Sequence, residues 1–141
     1  KKLLIEEEKF GIKKYSTYKK FAETIYEIRK NVIDNIRKIK RNDEKIIGYG
    51  APAKATTALN FFGISNEINY IIEDNKLKLN KMIPGVNIPI YSKKKIKDKK
   101  NLILVLAWNF FDDIKKNNKN LCKKFLNVKD LEKNQINKIF S

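Results

Sequence analysis

A glycine-rich turn between two apolar runs holds the residues of this 141-residue sequence that are best suited to chemistry. Gly48, Gly50 and Ala53 have the spacing G-x-G-x-x-G/A, in which the first glycine permits a tight turn and the second lets a phosphate approach the main chain. Lys54 adds a cation at the start of a predicted helix, where free amides and the helix dipole favour an anion. The spacing predicts a turn that faces a phosphate or a nucleotide, although it also suits a plain strand-to-helix turn.

The elements around this turn are those of one βαβ unit. Residues 46–47 enter the turn as a short apolar run, 56–62 have the pattern of a helix, and 70–72 form a second apolar run. Glu73 and Asp74 close that run about twenty residues after the glycines, where an acidic side chain can accept hydrogen bonds from ribose hydroxyls. Asp74 is equally suited to capping a turn.

Two later segments have strand character. Residues 86–91 alternate but contain Pro89, which is typical of an edge strand, and residues 102–107 form a continuous apolar run, which is typical of a buried parallel strand. Trp108 and Asn109 follow that run and so lie at the carboxyl end of the strand, where ligands bind in parallel sheets. Trp108 could stack on a ligand and Asn109 could hydrogen-bond to it. Equally, Trp108 could close the core and Asn109 could cap the next helix.

Strands that alternate with helices predict an α/β fold of the Rossmann-like type, with three layers and a mostly parallel sheet. A long amphipathic helix is predicted before it, with Ser16 as its N-cap and an end near Arg41. Its apolar stripe is expected to pack on the sheet and comprises Tyr18, Phe21, Ile25, Ile28, Val32, Ile36 and Ile39.

The chain is accordingly divided into an arm and long helix over residues 1–43 and a single globular Rossmann-like domain over residues 44–141. Within the first part, residues 1–14 show no clear period and are interpreted as an arm or linker. Within the second, a last strand is predicted at 125–126 and a final helix at 131–140.

Composition excludes several classes of protein. The chain has no histidine, which removes the commonest general base, and Cys122 is its single cysteine, which excludes an internal disulfide and a cysteine zinc cluster. The formal net charge is +16, but lysine supplies nearly all of the positive charge and arginine is the better reader of nucleic acid. We therefore expect no nucleic-acid partner. No apolar run approaches the roughly twenty residues that span a membrane, so we expect no membrane partner. The single cysteine suits a reducing compartment, so we expect a cytoplasmic location.

Four motifs occur in a fixed order: GYGAPAKATT at 48–57, EDN at 73–75, PGVNIPI at 84–90 and LAWNF at 106–110. Together they resemble the C-terminal domain of S-adenosylmethionine-dependent sugar C-methyltransferases, which act on nucleotide-linked deoxysugars. The resemblance extends over about residues 44–116. Beyond Asn120 the sequence departs from the family pattern and is rich in lysine and asparagine.

The resemblance implies a larger enzyme of three parts: a zinc-binding N-terminal domain, a central domain that binds S-adenosylmethionine, and a domain of the present kind. The nucleotide-linked sugar and the central domain are then the expected partners of this chain. In the reaction that the resemblance implies, a base in the central domain removes a proton beside a ketone, and the carbanion attacks the activated methyl group.

On this basis we expect a fragment that is inactive alone and has no catalytic residue, metal or cofactor of its own. The alternative is a stand-alone module that binds NAD(P) or another nucleotide. The expected substrate-binding residues are Gly48, Tyr49, Gly50, Ala51, Pro52, Lys54, Asp74, Trp108 and Asn109.

Overall fold

A five-stranded parallel sheet with helices on both faces forms the centre of the molecule. The computed structural model describes residues 1–41 and 45–133. All neighbouring strands are parallel, and their order across the sheet is β3-β2-β1-β4-β5. The predicted α/β Rossmann-like fold is confirmed. The strands are β1 (Ile46–Tyr49), β2 (Ile68–Ile72), β3 (Ile90–Tyr91), β4 (Leu102–Val105) and β5 (Lys124–Asn127); the helices are α1 (Lys2–Phe10), α2 (Tyr15–Lys40), α3 (Ala53–Phe62) and α4 (Phe111–Asn117).

The two faces of the sheet carry two apolar cores, as the alternation of side chains along a strand requires. In β4, Leu102 and Leu104 join the core beneath α2 and α3, whereas Ile103 and Val105 join the core beneath α4. Every residue of β1 and β4 is buried, because both strands lie inside the sheet and both of their faces are covered.

The strand order creates a switch point between β1 and β4. The chain passes from β1 to β2 and β3 on one side and then returns to place β4 on the other side of β1. The connections that leave β1 and β4 therefore diverge at the carboxyl edge of the sheet. In folds of this class a ligand binds in the crevice at that place.

The first part of the chain differs from the prediction. Residues expected to be an arm form α1, which ends at Gly11 with a left-handed φ of 78° and buries none of its residues. An apolar period in a sequence marks a helix face that packs on the core. α1 packs no face on the core, so that signal was missing. The long helix begins at Tyr15 after Lys14, and Ser16 is not its cap.

Only the C-terminal half of α2 packs as predicted. Val32, Ile36 and Ile39 are buried in the same core as the strands, so this half of the helix packs on the sheet. Tyr18 and Phe21, from the same predicted stripe, are exposed.

The remaining predicted elements are found with changed bounds. The edge strand β3 is confined to Ile90–Tyr91, and Pro89 before it makes an antiparallel bridge with Met82. The last strand is confirmed as β5. A 3₁₀ turn at Val128–Glu132 occupies the start of the predicted final helix, and residues 134–140 of that prediction lie outside the described residues. Among the helices of the described part, none has the length and apolar character of a membrane span.

Candidate functional site

The two glycines of the turn have different roles from those that the spacing predicted. Gly48 lies inside β1, where a Cβ atom would stand 2.7 Å from Cγ1 of Ile71 and 3.0 Å from Cδ1 of Leu106. Its lack of a side chain thus serves packing on the sheet. Gly50 makes the turn with a φ of 89°, and a Cβ atom there would stand 2.9 Å from Cβ of Ala107. Gly50 therefore lets the connections after β1 and β4 approach each other at the switch point.

One backbone amide of this turn already donates a hydrogen bond to a carboxylate within the chain. The N–H of Ala51 donates to Oε2 of Glu73 at 2.8 Å, and Oε1 of Glu73 accepts from the amides of Asp74 at 2.8 Å and Asn75 at 3.0 Å. Lys78 donates to the carbonyl oxygen of Ala51 at 2.8 Å, and its amine lies 3.9 Å from Oε2 of Glu73. The amide of Ala51 is therefore not free to donate a hydrogen bond to a phosphate.

Asp74 takes part in a second cluster, on the β3 side of the turn. Its Oδ2 accepts from the hydroxyl of Tyr49 at 2.7 Å, and its Oδ1 lies 2.8 Å from the amine of Lys93. Lys93 follows β3 and also lies 5.2 Å from the centre of the Tyr49 ring. Both oxygens of Asp74 are engaged, and the neighbouring turn is capped by Asn75, whose Oδ1 accepts from the amide of Leu77. Asp74 therefore does not cap a turn.

The pKa values in this cluster follow from burial and from these contacts. Burial raises the pKa of the Tyr49 hydroxyl, while Lys93 and Asp74 act on it in opposite directions. Burial alone would raise the pKa of Asp74, but hydrogen bonds from Lys93 and Tyr49 hold it below its ordinary value. Burial disfavours the charge of Lys93, yet Asp74 and Tyr49 raise the pKa of its amine overall. At neutral pH the cluster holds a charged pair beside a neutral tyrosine.

Lys54 and Trp108 form a pair across the switch point. The Lys54 amine lies 4.1 Å from the centre of the Trp108 ring, within the range of a cation–π contact. Trp108 is half-buried and packs on the core, so it closes the core while its ring also receives Lys54. Asn109 is exposed and does not cap α4, whose N-cap is Phe110. Pro52 is the N-cap of α3, which begins at Ala53.

Two amides at the start of α3 remain available for a ligand. Among the described hydrogen bonds, the N–H groups of Ala53 and Lys54 have no acceptor, whereas those of Ala55 and Thr56 donate to the carbonyl oxygen of Pro52. The start of a helix offers such amides together with a positive dipole. An anion at this place would meet these two amides, and the Lys54 side chain begins at the same turn of the helix.

The structure thus brings the predicted residues together in two groups along the carboxyl edge of the sheet. Lys54 and Trp108 meet at the switch point, and Tyr49 and Asp74 meet beside β3. The sequence pointed to Glu73 and Asp74 together, but the expected substrate-binding residues included only Asp74 of the two, and neither Lys78 nor Lys93. Glu73 directly follows β2, as an acidic ribose-binding residue would, and this position was the signal that could have separated it from Asp74.

These residues suit binding better than acid–base chemistry. Lys54, Lys78 and Lys93 supply cations, while both acidic side chains of the edge are held by hydrogen bonds. Within residues 1–41 and 45–133, no cluster of three or more metal-ligating side chains is present. Cys122 is buried, and burial raises the pKa of its thiol, so it is not activated as a nucleophile.

Comparison with known proteins identifies the family. The model of the C-methyltransferase C-terminal domain matches residues 1–127. The C-methyltransferase NovU of Streptomyces niveus is 32% identical over 119 residues, which cover 83% of this chain and 28% of NovU. The chain therefore spans little more than a quarter of the length of that curated relative. It belongs to the family of C-methyltransferase C-terminal domains.

Proposed function

We propose that this chain is the nucleotide-sugar-facing domain of a sugar C-methyltransferase, and that the S-adenosylmethionine used by the enzyme is bound elsewhere in it. Any zinc belongs to a further domain, and the enzyme works in the cytoplasm. The observation that carries the proposal is the Lys54–Trp108 pair at the switch point, next to the two amides at the start of α3. Together they offer a cation, amide donors and an aromatic ring, which suit the phosphates of a nucleotide-linked sugar.

The same edge of the sheet does not fit a methyl donor or a dinucleotide held in the usual Rossmann manner. Such a ligand needs the amides of the glycine turn and a carboxylate that accepts from ribose hydroxyls. Here the Ala51 amide is taken by Glu73, whose oxygens accept from three amides. Both oxygens of Asp74 are engaged with Tyr49 and Lys93. A stand-alone NAD(P)-binding module is therefore the less favoured function.

The role of this chain in catalysis is then to bind and orient the acceptor. Transfer of a methyl group to carbon needs a base that removes a proton from the acceptor. Histidine is absent, and Glu73 and Asp74 are both committed to contacts within the fold. The chain alone is accordingly inactive, and the base belongs to another part of the enzyme.

Calorimetric titration of the 141-residue chain tests this function. A thymidine-diphospho-sugar should bind weakly, since only one wall of its site is present, and S-adenosylmethionine and NAD should not bind. Tight binding of NAD, or methyl transfer by the pure chain, would contradict the proposal.

Lys54→Ala sharpens the test. We expect the affinity for the nucleotide-linked sugar to fall about fivefold, because a partly exposed ion pair contributes up to about 1 kcal/mol. The fold should be unchanged, since the described interaction of the Lys54 amine is its contact with the face of the Trp108 ring. Lys119→Ala removes an equal charge from an exposed position after α4 and serves as the control, with no expected effect on affinity. Equal affinities for the wild type and Lys54→Ala would exclude Lys54 from the site.

A further inference from the structure

The first two helices present a large apolar surface to solvent, which we call the arm face. Each of its side chains exposes at least 53% of its area. Scattered exposed apolar residues are normal, but a contiguous group of large ones marks a binding surface. The arm face consists of Phe10 of α1 and Tyr18 and Phe21 of α2, which line one groove. Further exposed apolar side chains on the same two helices are Leu3, Leu4, Ile5, Tyr15 and Tyr26.

The arm face continues a stripe that the domain itself buries. Tyr18 and Phe21 lie at helical spacing on the stripe that leads to Val32 and Ile36, which are 0% and 1% exposed. The change from exposed to buried comes near Arg29, whose Nε donates to the carbonyl oxygen of Phe61 at 2.7 Å. One side of α2 is thus apolar along its whole length, and the sheet covers only its second half.

The turn between the helices is held in place and forms a groove. Gly11 ends α1, and the hydroxyl of Thr17 donates to its carbonyl oxygen at 2.8 Å. The groove lies between the end of α1 and the start of α2, and Phe10, Tyr18 and Phe21 are among the residues that line it. A groove of this kind can receive apolar side chains from a partner.

We propose that the arm face is the surface on which another part of the same methyltransferase polypeptide docks. This inference rests on the proposed function as one domain of a larger enzyme. Both helices lie within the residues that the family model matches, so they belong to the domain. The matched region makes up 28% of NovU, and an enzyme of that length has other parts that need a contact with this domain.

The charges around the arm face define the partner surface further. Residues 1–26 contain seven lysines and four glutamates. Among the described residues, no ion pair involves these side chains. The partner surface is therefore apolar at its centre, with acidic side chains opposite the lysines and basic side chains opposite the glutamates at its rim. A second copy of the chain fits less well, because each copy carries a formal net charge of +16.

An anionic lipid surface would also attract lysines beside aromatic residues. Three consecutive glutamates, Glu6, Glu7 and Glu8, lie in the middle of α1 and would be repelled by such a surface. The observations therefore favour a protein partner.

Hydrogen exchange of the complete enzyme, compared with the 141-residue chain, tests the docking surface. In the complete enzyme, amides of α1 and of the first half of α2 should exchange at least tenfold more slowly than in the 141-residue chain. Tyr18→Ala combined with Phe21→Ala should remove this additional protection. Leu77→Ala combined with Met82→Ala is the matched control, since both side chains are exposed elsewhere, and it should leave the protection unchanged.

Two further measurements separate the outcomes. The Tyr18→Ala/Phe21→Ala chain should keep its thermal midpoint and its affinity for the nucleotide-linked sugar, because neither side chain is buried in the domain. If the wild-type chain does not bind the nucleotide-linked sugar, the proposed function is wrong. The hydrogen-exchange comparison still tests the docking surface separately. Three results would overturn the docking surface: no added protection in the complete enzyme, dimerisation of the 141-residue chain that the double variant abolishes, or binding of the chain to phosphatidylserine vesicles through these residues.

Discussion

At the scale of single residues, Glu73 determines which amides of the turn after β1 are free to bind a ligand. Its carboxylate accepts from the amides of Ala51, Asp74 and Asn75, and the Lys78 amine lies 3.9 Å away. Its side chain is only 13% exposed. The carboxylate of Glu73 thus accepts from the Ala51 amide, which the glycine spacing had predicted to be free for a phosphate. In the proposed site, the ligand would instead use the start of α3 and the Lys54 amine.

Glu73→Gln should destabilise the chain by about 1–3 kcal/mol, because an amide side chain has only one acceptor oxygen. In either orientation its NH₂ group would face a backbone N–H that now donates to the carboxylate. Urea unfolding measures the loss. Glu27→Gln is the control, since Glu27 is exposed on α2 and has no partner among the described contacts, and it should change stability by less than about 0.5 kcal/mol. Equal stability of the two variants would show that the Glu73 contacts contribute nothing.

The sequence predicted the place of these residues better than their contacts. Tyr49, Asp74 and Trp108 were expected at the carboxyl edge, because each follows or ends an apolar run. Lys93 was not among the expected site residues, but its amine lies 2.8 Å from Oδ1 of Asp74. That contact depends on β3 lying beside β2, and the order of strands is set by tertiary packing that no local pattern records.

At the scale of elements, the pattern of apolar residues predicted the helices and strands that pack into the core. Buried strands such as β4 are continuous apolar runs, and the second half of α2 has a buried stripe, so both were predictable. α1 has no buried side, so nothing in its apolar pattern marked it as a helix. The spacing of the glycines likewise could not distinguish Gly48, inside β1, from Gly50, in the turn.

Gly50→Ala should cost about 2 kcal/mol or more, and Gly63→Ala about 1 kcal/mol. Both positions have a positive φ, 89° and 66°, which an alanine adopts at a cost of about 1 kcal/mol. At Gly50 the new Cβ would also stand 2.9 Å from Cβ of Ala107, whereas at Gly63 its nearest described neighbour is a nitrogen of Arg29 at 3.7 Å. Thermal unfolding of the two variants compares them directly. Equal losses would mean that the approach of the two connections is not tight.

At the scale of the whole molecule, the chain is a folded domain with an exposed arm face and a large excess of positive charge. It carries 32 lysines and arginines against 16 acidic residues. Each described ion pair has one side chain that is at least 40% exposed, so solvent screens the pair and limits its contribution to about 1 kcal/mol. Salt weakens these pairs, but it also screens repulsion among the many remaining cations.

Repulsion should be the larger of these two effects. Raising the ionic strength from about 0.01 M to about 0.15 M shortens the Debye length from about 30 Å to about 8 Å. We expect the thermal midpoint to rise by roughly 3–5 °C, the change that about 1 kcal/mol produces in a domain of this size. Scanning fluorimetry in sodium chloride measures the midpoint.

A charge-reduced variant gives the control for this expectation. Lys97, Lys99 and Lys100 are exposed together in one loop, and replacing all three by glutamine removes three positive charges and leaves the core intact. This variant should begin with a higher midpoint at low salt and gain less from added salt, since part of the repulsion is already gone. A midpoint that falls as salt is added to the wild-type chain would instead show that attractive pairs such as Lys93–Asp74 outweigh the excess of lysine.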